Sequence, residues 1–143
     1  MNRTLVIGDI HGGLRALHQI VDRAKVTLDD TLIFLGDYVD GWSQSPQVID
    51  FLLELSKKQK CIFIRGNHDD LLLDWLTGNT QNFDEKMWFQ HGGEATVSAY
   101  LNVSESVKMV HIEFLKSLQN YFLDEHNRLF IHAGFTNMKG VNY

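Results

Sequence analysis

Three short clusters of acids, amides and imidazoles punctuate this chain, each following an apolar run and each beginning with glycine. They are Gly8-Asp9-Ile10-His11-Gly12, Gly36-Asp37-Tyr38-Val39-Asp40-Gly41 and Gly66-Asn67-His68-Asp69. A fourth, His132-Ala133-Gly134, ends a later apolar run. Asp9 and His11 stand two apart, and in extended backbone residues i and i+2 point to the same side, so the pair can approach one cation together. Asp9, His11, Asp37, Asn67 and His132 make a mixed oxygen and nitrogen donor set without sulfur, suited to manganese, iron or zinc and poorly suited to calcium. A carboxylate can bridge two ions, and Asp37, on the middle cluster, is the natural bridge for metals roughly 3.5–4 Å apart. Such a pair of cations clamps phosphate esters.

For these clusters to meet, the elements between them must return the chain to one edge. Thr4-Leu5-Val6-Ile7, Thr31-Leu32-Ile33-Phe34-Leu35 and Cys61-Ile62-Phe63-Ile64 are short apolar runs of the kind found in buried strands. Between them, Leu14, Leu17, Ile20, Val21 and Ala24 recur at helical spacing, as do Val48, Ile49, Leu52, Leu53 and Leu55. Ser45 and Pro46 offer an N-cap and a first-turn proline to the second helix. The order strand, helix, strand, helix, strand predicts an α/β fold with a parallel βαβαβ core, in which ligands gather at the carboxyl ends of the strands. Beyond Asp70 the pattern turns helical from Leu71, and residues 71–120 are expected to form a helical cap insertion within a single domain spanning 1–143. A hairpin is expected from Tyr121-Phe122-Leu123 and Arg128-Leu129-Phe130-Ile131.

Composition narrows the function further. With 44% hydrophobic residues and one proline, 143 residues suffice for one globular core. A formal net charge of -5 excludes a broad basic surface for nucleic acid. Cys61 is the only cysteine, so no disulfide framework and no cysteine-rich zinc site is expected. No apolar stretch reaches membrane-spanning length and the first strand begins almost at Met1, so neither a membrane partner nor a signal peptide is expected, and the expected compartment is the cytoplasm.

The four clusters, in this order, resemble the calcineurin-like metallophosphoesterases. Within them, Gly-Asp-x-Val-Asp and Arg-Gly-Asn-His are similar to the phosphoprotein phosphatase branch, the serine/threonine protein phosphatases. The resemblance implies a β-sandwich flanked by helices and two divalent metal ions, manganese, iron or zinc. Asp9, His11 and Asp37 would bind the first ion, and Asp37, Asn67 and His132 the second. His68 would be the general acid, oriented by Asp40. The implied reaction is hydrolysis of phosphate monoesters, on a phosphorylated protein or a small phosphoester, by a hydroxide that the two metals activate. The chemistry agrees: in-line attack of this kind needs no covalent enzyme intermediate, and the leaving alkoxide needs a proton from a nearby acid.

Two departures from the family pattern bear on substrate. Gly41-Trp42 stands where most protein phosphatases of this branch carry an arginine that grips the phosphate. Arg65 and His91 are the candidate substrate contacts. For Arg65 the competing reading is a structural ion pair or a strand-end role. For His91, in Trp88-Phe89-Gln90-His91-Gly92-Gly93, it is packing of the segment that related phosphatases and diadenosine tetraphosphatases place over the active site. The family also has a further histidine ligand beyond the strand that follows His-Ala-Gly, and this chain ends at Tyr143. The expectation is therefore a domain lacking the family's C-terminal part, a second metal short of one ligand, and strand edges near Arg128 to His132 open to self-association. Two alternatives stand beside the phosphomonoesterase: a diadenosine tetraphosphatase-like hydrolase, and a weakly active fragment that binds metal or a partner. An aspartyl-phosphate enzyme built on Asp9 is set aside, because the residue two positions on is His11 and not a second aspartate. His18, His111 and His126 are read as surface or boundary histidines, Trp42 and Trp75 as core or cleft-wall aromatics, and Asp69-Asp70 as acids favouring a helix N-terminus.

Overall fold

The computed structural model describes residues 2–136 together with 139 and 140. β1 (Thr4–Ile7), β2 (Thr31–Phe34) and β3 (Lys60–Phe63) pair in parallel in that order. Ile7 aligns with Phe34 and Phe34 with Phe63, so the three strands end level and their glycine-led clusters emerge on one edge. The α/β class and the parallel core are as the pattern predicts. β2 lies in the middle with Leu32, Ile33 and Phe34 fully buried, whereas β1 pairs on one side only among the described residues and leaves Val6 47% exposed.

The crossovers are α1 (Leu14–Ala24) and α2 (Ser45–Ser56). α2 differs from expectation in its start: Gln44 is the cap, Ser45 is already helical, and its buried hydroxyl turns inward to other partners. α3 (Asn67–Thr77) begins four residues before the apolar pattern at Leu71. Gly66 is extended ahead of it, and the Asp69 carboxylate reaches back to accept the Gly66 amide at 2.8 Å. That contact satisfies a donor the helix leaves open, and it draws Asn67 and His68 into the first helical turn.

A short α4 (Glu85–Trp88) follows, capped by Asp84 accepting from the Met87 amide. A wide turn, Phe89–Gly93, is kinked at His91 and Gly92 and leads into α5 (Glu94–Tyr100) and α6 (Glu105–Ser117). Segment 71–120 shares the main core: Leu72, Tyr100, Phe114, Leu115 and Leu118 pack in one cluster with Phe34, Tyr38, Val48 and Leu52. Each such buried apolar side chain contributes about 1.5–3 kcal/mol, so removal of Phe114 would cost about 3–5 kcal/mol. His111 corrects the reading of a surface or boundary histidine. It is fully buried, with Nδ1 at 2.8 Å from the Tyr100 hydroxyl and Nε2 at 2.9 Å from Asp50 Oδ1.

β4 (Tyr121–Leu123) and β5 (Leu129–Ile131) form the expected antiparallel hairpin. Gln119, just before it, bonds to Phe63 and Arg65 across the end of β3, at 3.0 and 2.8 Å. The hairpin is thereby anchored so that His132, one residue past β5, reaches the shared edge. No helix among the described residues is long and apolar enough to cross a membrane.

Candidate metal centre and active site

Main-chain bonds lace the first two clusters together. The Ile10 and His11 amides both donate to the Asp37 carbonyl at 2.9 Å, Gly12 donates to Tyr38 at 2.8 Å, and Trp42 returns to His11 at 2.9 Å. The third cluster is joined by one carboxylate: Asp69 accepts from the amides of Asp37 (2.8 Å), Tyr38 (2.9 Å) and Gly66 (2.8 Å). Burial pushes the Asp69 carboxyl up to about 7, while its three N–H donors pull the other way. The approach is close enough that a Cβ on Gly66 would lie 2.1 Å from Asp37 Oδ1. His11 (φ 49°), Asp37 (φ 55°) and Asp40 (φ 72°) all hold left-handed backbone. Strain of this kind costs about 1–3 kcal/mol per residue and gathers at working sites.

At the centre lies Asp37, which is 4% exposed. Its Oδ1 accepts the His68 amide at 3.1 Å, while its Oδ2 faces His132 Nε2 at 3.3 Å and His11 Nε2 at 3.8 Å. Asp9 Oδ2 lies 3.7 Å from His11 Nε2, and Asn67 Oδ1 lies 3.3 Å from His132 Nε2. The structure thus brings all five expected ligands to one place. Donor atoms of Asp9, Asp37 and His132 lie within 4.8 Å of one another, as do those of His11, Asp37 and His68. Asp37 is common to both groups.

The histidine tautomers fit divalent cations. His11 Nδ1 bonds the Val39 carbonyl at 3.0 Å and His132 Nδ1 bonds the Leu35 carbonyl at 2.8 Å. A carbonyl accepts only, so both Nδ1 atoms carry a proton and both Nε2 atoms are turned toward carboxylate oxygens. A backbone-anchored imidazole that turns its other nitrogen toward carboxylates is how proteins orient metal-binding histidines.

His68 stands beside this group, its ring edge-on to that of His11 with centroids 4.9 Å apart. Its Nδ1 bonds Asp40 Oδ2 at 2.7 Å, and that hydrogen bond, with the charges of Asp37, Asp40 and Asp69, raises the imidazole above its ordinary range against the effect of burial. Sequence reasoning missed what holds Asp40. The Trp88 indole donates to the same oxygen at 2.6 Å, and the Asp40 amide donates to Ser45 Oγ at 3.1 Å and Thr96 Oγ1 at 3.0 Å. Nothing in local spacing links positions 40, 88 and 96.

Arg65, an expected substrate contact, takes instead the competing structural role. Its guanidinium donates to Asp70 at 2.9 Å and to the carbonyls of Lys116 and Leu118 at 3.4 and 3.2 Å, which turns it toward the end of α6. His91 is exposed on the kink, with Nδ1 held by the Met87 carbonyl at 2.8 Å. Trp42 is 71% exposed and lies outside the core.

A level parallel sheet whose strand ends converge on a carboxylate flanked by backbone-anchored histidines is the arrangement of metal-dependent phosphoesterases. The chain belongs to the calcineurin-like phosphoesterase family, whose model matches residues 2–142. It is 28% identical to the asymmetrical bis(5'-nucleosyl)-tetraphosphatase of Anoxybacillus flavithermus, over 90% of this chain and 56% of the relative. The enzyme of the same name from Oceanobacillus iheyensis is 27% identical over 90% and 55%. The chain spans about half the length of these relatives. Its fold is similar to that of a crystal structure provisionally assigned as a diadenosine tetraphosphatase, with TM-score 0.71 and 23% identity over 97% of this chain and 53% of that one. A serine/threonine phosphatase structure from Saccharomyces cerevisiae matches with TM-score 0.58 and 17% identity, over 90% and 40%.

Proposed function

We propose that this chain carries a two-metal phosphoesterase site, with Asp9, His11 and Asp37 around one divalent ion and Asp37, Asn67 and His132 around the other. The observation that carries this reading is Asp37 Oδ2, which faces the Nε2 atoms of two histidines whose Nδ1 atoms are bound to main-chain carbonyls. Two manganese, iron or zinc ions there supply an activated water and neutralise charge on the phosphoryl oxygens. The protein's own residues do the rest. The α3 N-terminus directs the His68 amide at Asp37, which fixes the carboxylate. His68, with Nδ1 on Asp40, presents Nε2 to the leaving oxygen and protonates it as the P–O bond breaks. Manganese, iron or zinc content is checked by elemental analysis of the protein as purified, and the cytoplasm is the compartment this reading assumes.

For substrate, the motifs favour phosphate monoesters in the manner of serine/threonine phosphatases. A second reading, hydrolysis of a dinucleoside tetraphosphate, is favoured by relatives of that name over 90% of the chain. It is favoured also by Gly41-Trp42, which lacks the arginine that most protein phosphatases of this branch present to the phosphate. Turnover of a phosphopeptide compared with diadenosine tetraphosphate, with manganese present, decides between them. Inorganic phosphate from the peptide alone supports the first reading. Unequal nucleotide products from the tetraphosphate alone support the second, and no metal-dependent turnover of either overturns both. The single-sided pairing of β1 among the described residues and the short hairpin also favour self-association through strand edges.

A further inference from the structure

We propose that Trp88 is a positioning residue for the His68–Asp40 pair, and that residues 88–96 act as a clamp on Asp40. The inference rests on the reading in which His68 protonates the leaving group. Trp88 is fully buried, and its indole N–H reaches Asp40 Oδ2 at 2.6 Å, the same oxygen that His68 Nδ1 meets at 2.7 Å. The other oxygen, Oδ1, is buried with no partner among the described residues. A carboxylate held through one oxygen by one donor can turn about its Cβ–Cγ bond and exchange its oxygens. A second donor arriving from another direction stops that rotation.

The indole cannot swing away. Phe83, Phe89 and Trp75 surround it, with ring centroids at 5.2, 5.7 and 6.2 Å. Gly93 lies so close that a Cβ there would come within 2.4 Å of the indole ring. The same segment holds the backbone: Thr96 Oγ1 accepts the Asp40 amide at 3.0 Å, and the Gly92 carbonyl accepts the Gly41 amide at 3.1 Å. Residues 88, 92 and 96 recur every fourth position, so successive turns across the kink hold Asp40, strained at φ 72°, and the Gly41 amide that follows it. With Asp40 immobile, the imidazole keeps Nδ1–H on the carboxylate and Nε2 toward the site.

Trp88→Phe keeps an aromatic ring in the pocket and removes the donor. Ring 15N chemical shifts of His68, recorded at alkaline pH, are expected to show one Nδ1–H tautomer in the wild type and a mixture of tautomers in Trp88→Phe. This readout does not depend on turnover. In kinetics, losing one hydrogen bond of this kind is expected to lower kcat on an alkyl phosphate roughly tenfold. KM should stay within about twofold, and 2,4-dinitrophenyl phosphate should be affected much less. Trp88→Phe should add nothing in a His68→Asn background. An unchanged tautomer together with equal losses on both substrates would overturn the clamp. Equal losses on both substrates from His68→Asn itself would overturn the general-acid reading, and the tautomer ratio would still decide the clamp. If circular dichroism shows that Trp88→Phe does not fold, Thr96→Val, which removes the same segment's contact to the Asp40 amide, must show the same tautomer mixing in smaller degree, and its absence overturns the proposal.

Discussion

The two ends of the parallel sheet each bury an aspartate, and they treat it in opposite ways. At the amino end, Asp30 is 1% exposed and every interaction around it closes. It accepts from Arg3 Nε and Nη2 at 2.9 and 2.6 Å and from the Thr27 amide at 2.7 Å, while Arg3 also caps the carbonyls of Ala24 and Lys25 and Gln59 bonds the Asp30 carbonyl. At the carboxyl end, Asp37 has one oxygen bound to an amide and the other facing two imidazole Nε2 atoms at 3.3 and 3.8 Å. The first arrangement spends its electrostatics on holding β1 to β2. The second leaves valence unspent and adds backbone strain, and an excess of unspent acceptors is what a divalent cation requires.

The sharpest way to break this contrast is to exchange the fates of the two acids. Asp37→Ala is expected to lose both ions, where Asp9→Ala loses mainly one, and to lower turnover by roughly 10³-fold or more. Elemental analysis that found wild-type metal in Asp37→Ala would sink the bridging role. Next in size, His68→Asn is expected to lower turnover of poor leaving groups by roughly 10²–10⁴, with a far smaller loss on an activated aryl phosphate.

The closed end should show itself in pH and not in metal. The Arg3 guanidinium holds the Asp30 carboxyl well below the ordinary carboxylate range. A carboxyl depressed by folding stabilises the native state above its unfolded value, near pH 4, and that stabilisation disappears as the pH falls toward the folded value. Asp30→Asn should therefore flatten the acid limb of the melting temperature against pH, with metal content unchanged. An unaltered acid limb would mean that the pair is not the source of the dependence. The smallest effect is expected at the edge: Val6→Lys on β1 should shift sedimentation toward monomer, and identical profiles would remove that edge from self-association.

What was legible in the sequence was whatever repeats locally. Strand ends followed by Gly-Asp or Gly-Asn placed Asp9, His11, Asp37 and Asn67 on one edge, because parallel strands with helical returns must end together, and the family resemblance added His132. What was not legible depends on contacts between distant positions. The apolar pattern starts the helix at Leu71, and only the Asp69 carboxylate on the Gly66 amide brings Asn67 and His68 into α3. Ser45 looked like a cap, yet its hydroxyl serves Asp40, and His111 looked peripheral, yet it joins Tyr100 to Asp50 inside the fold. Arg65 lies beside the site in sequence but faces α6, since a side chain at a strand's end can leave on either side. The positive φ of His11, Asp37 and Asp40 has no sequence signature, as none of the three is glycine.

Because Asn67 and His68 belong to the first turn of α3, ligation and helix opening draw on one free energy. Fraying that turn releases the Asn67 amide oxygen and the Asp69 carboxylate that holds the Asp37 and Tyr38 amides. An ion that binds only the closed state protects the helix by RT ln(1 + [M]/Kd), about 2.7 kcal/mol at a hundredfold excess over Kd. Amide exchange along α3 thus becomes a meter of occupancy at the proposed second metal position, readable without any substrate.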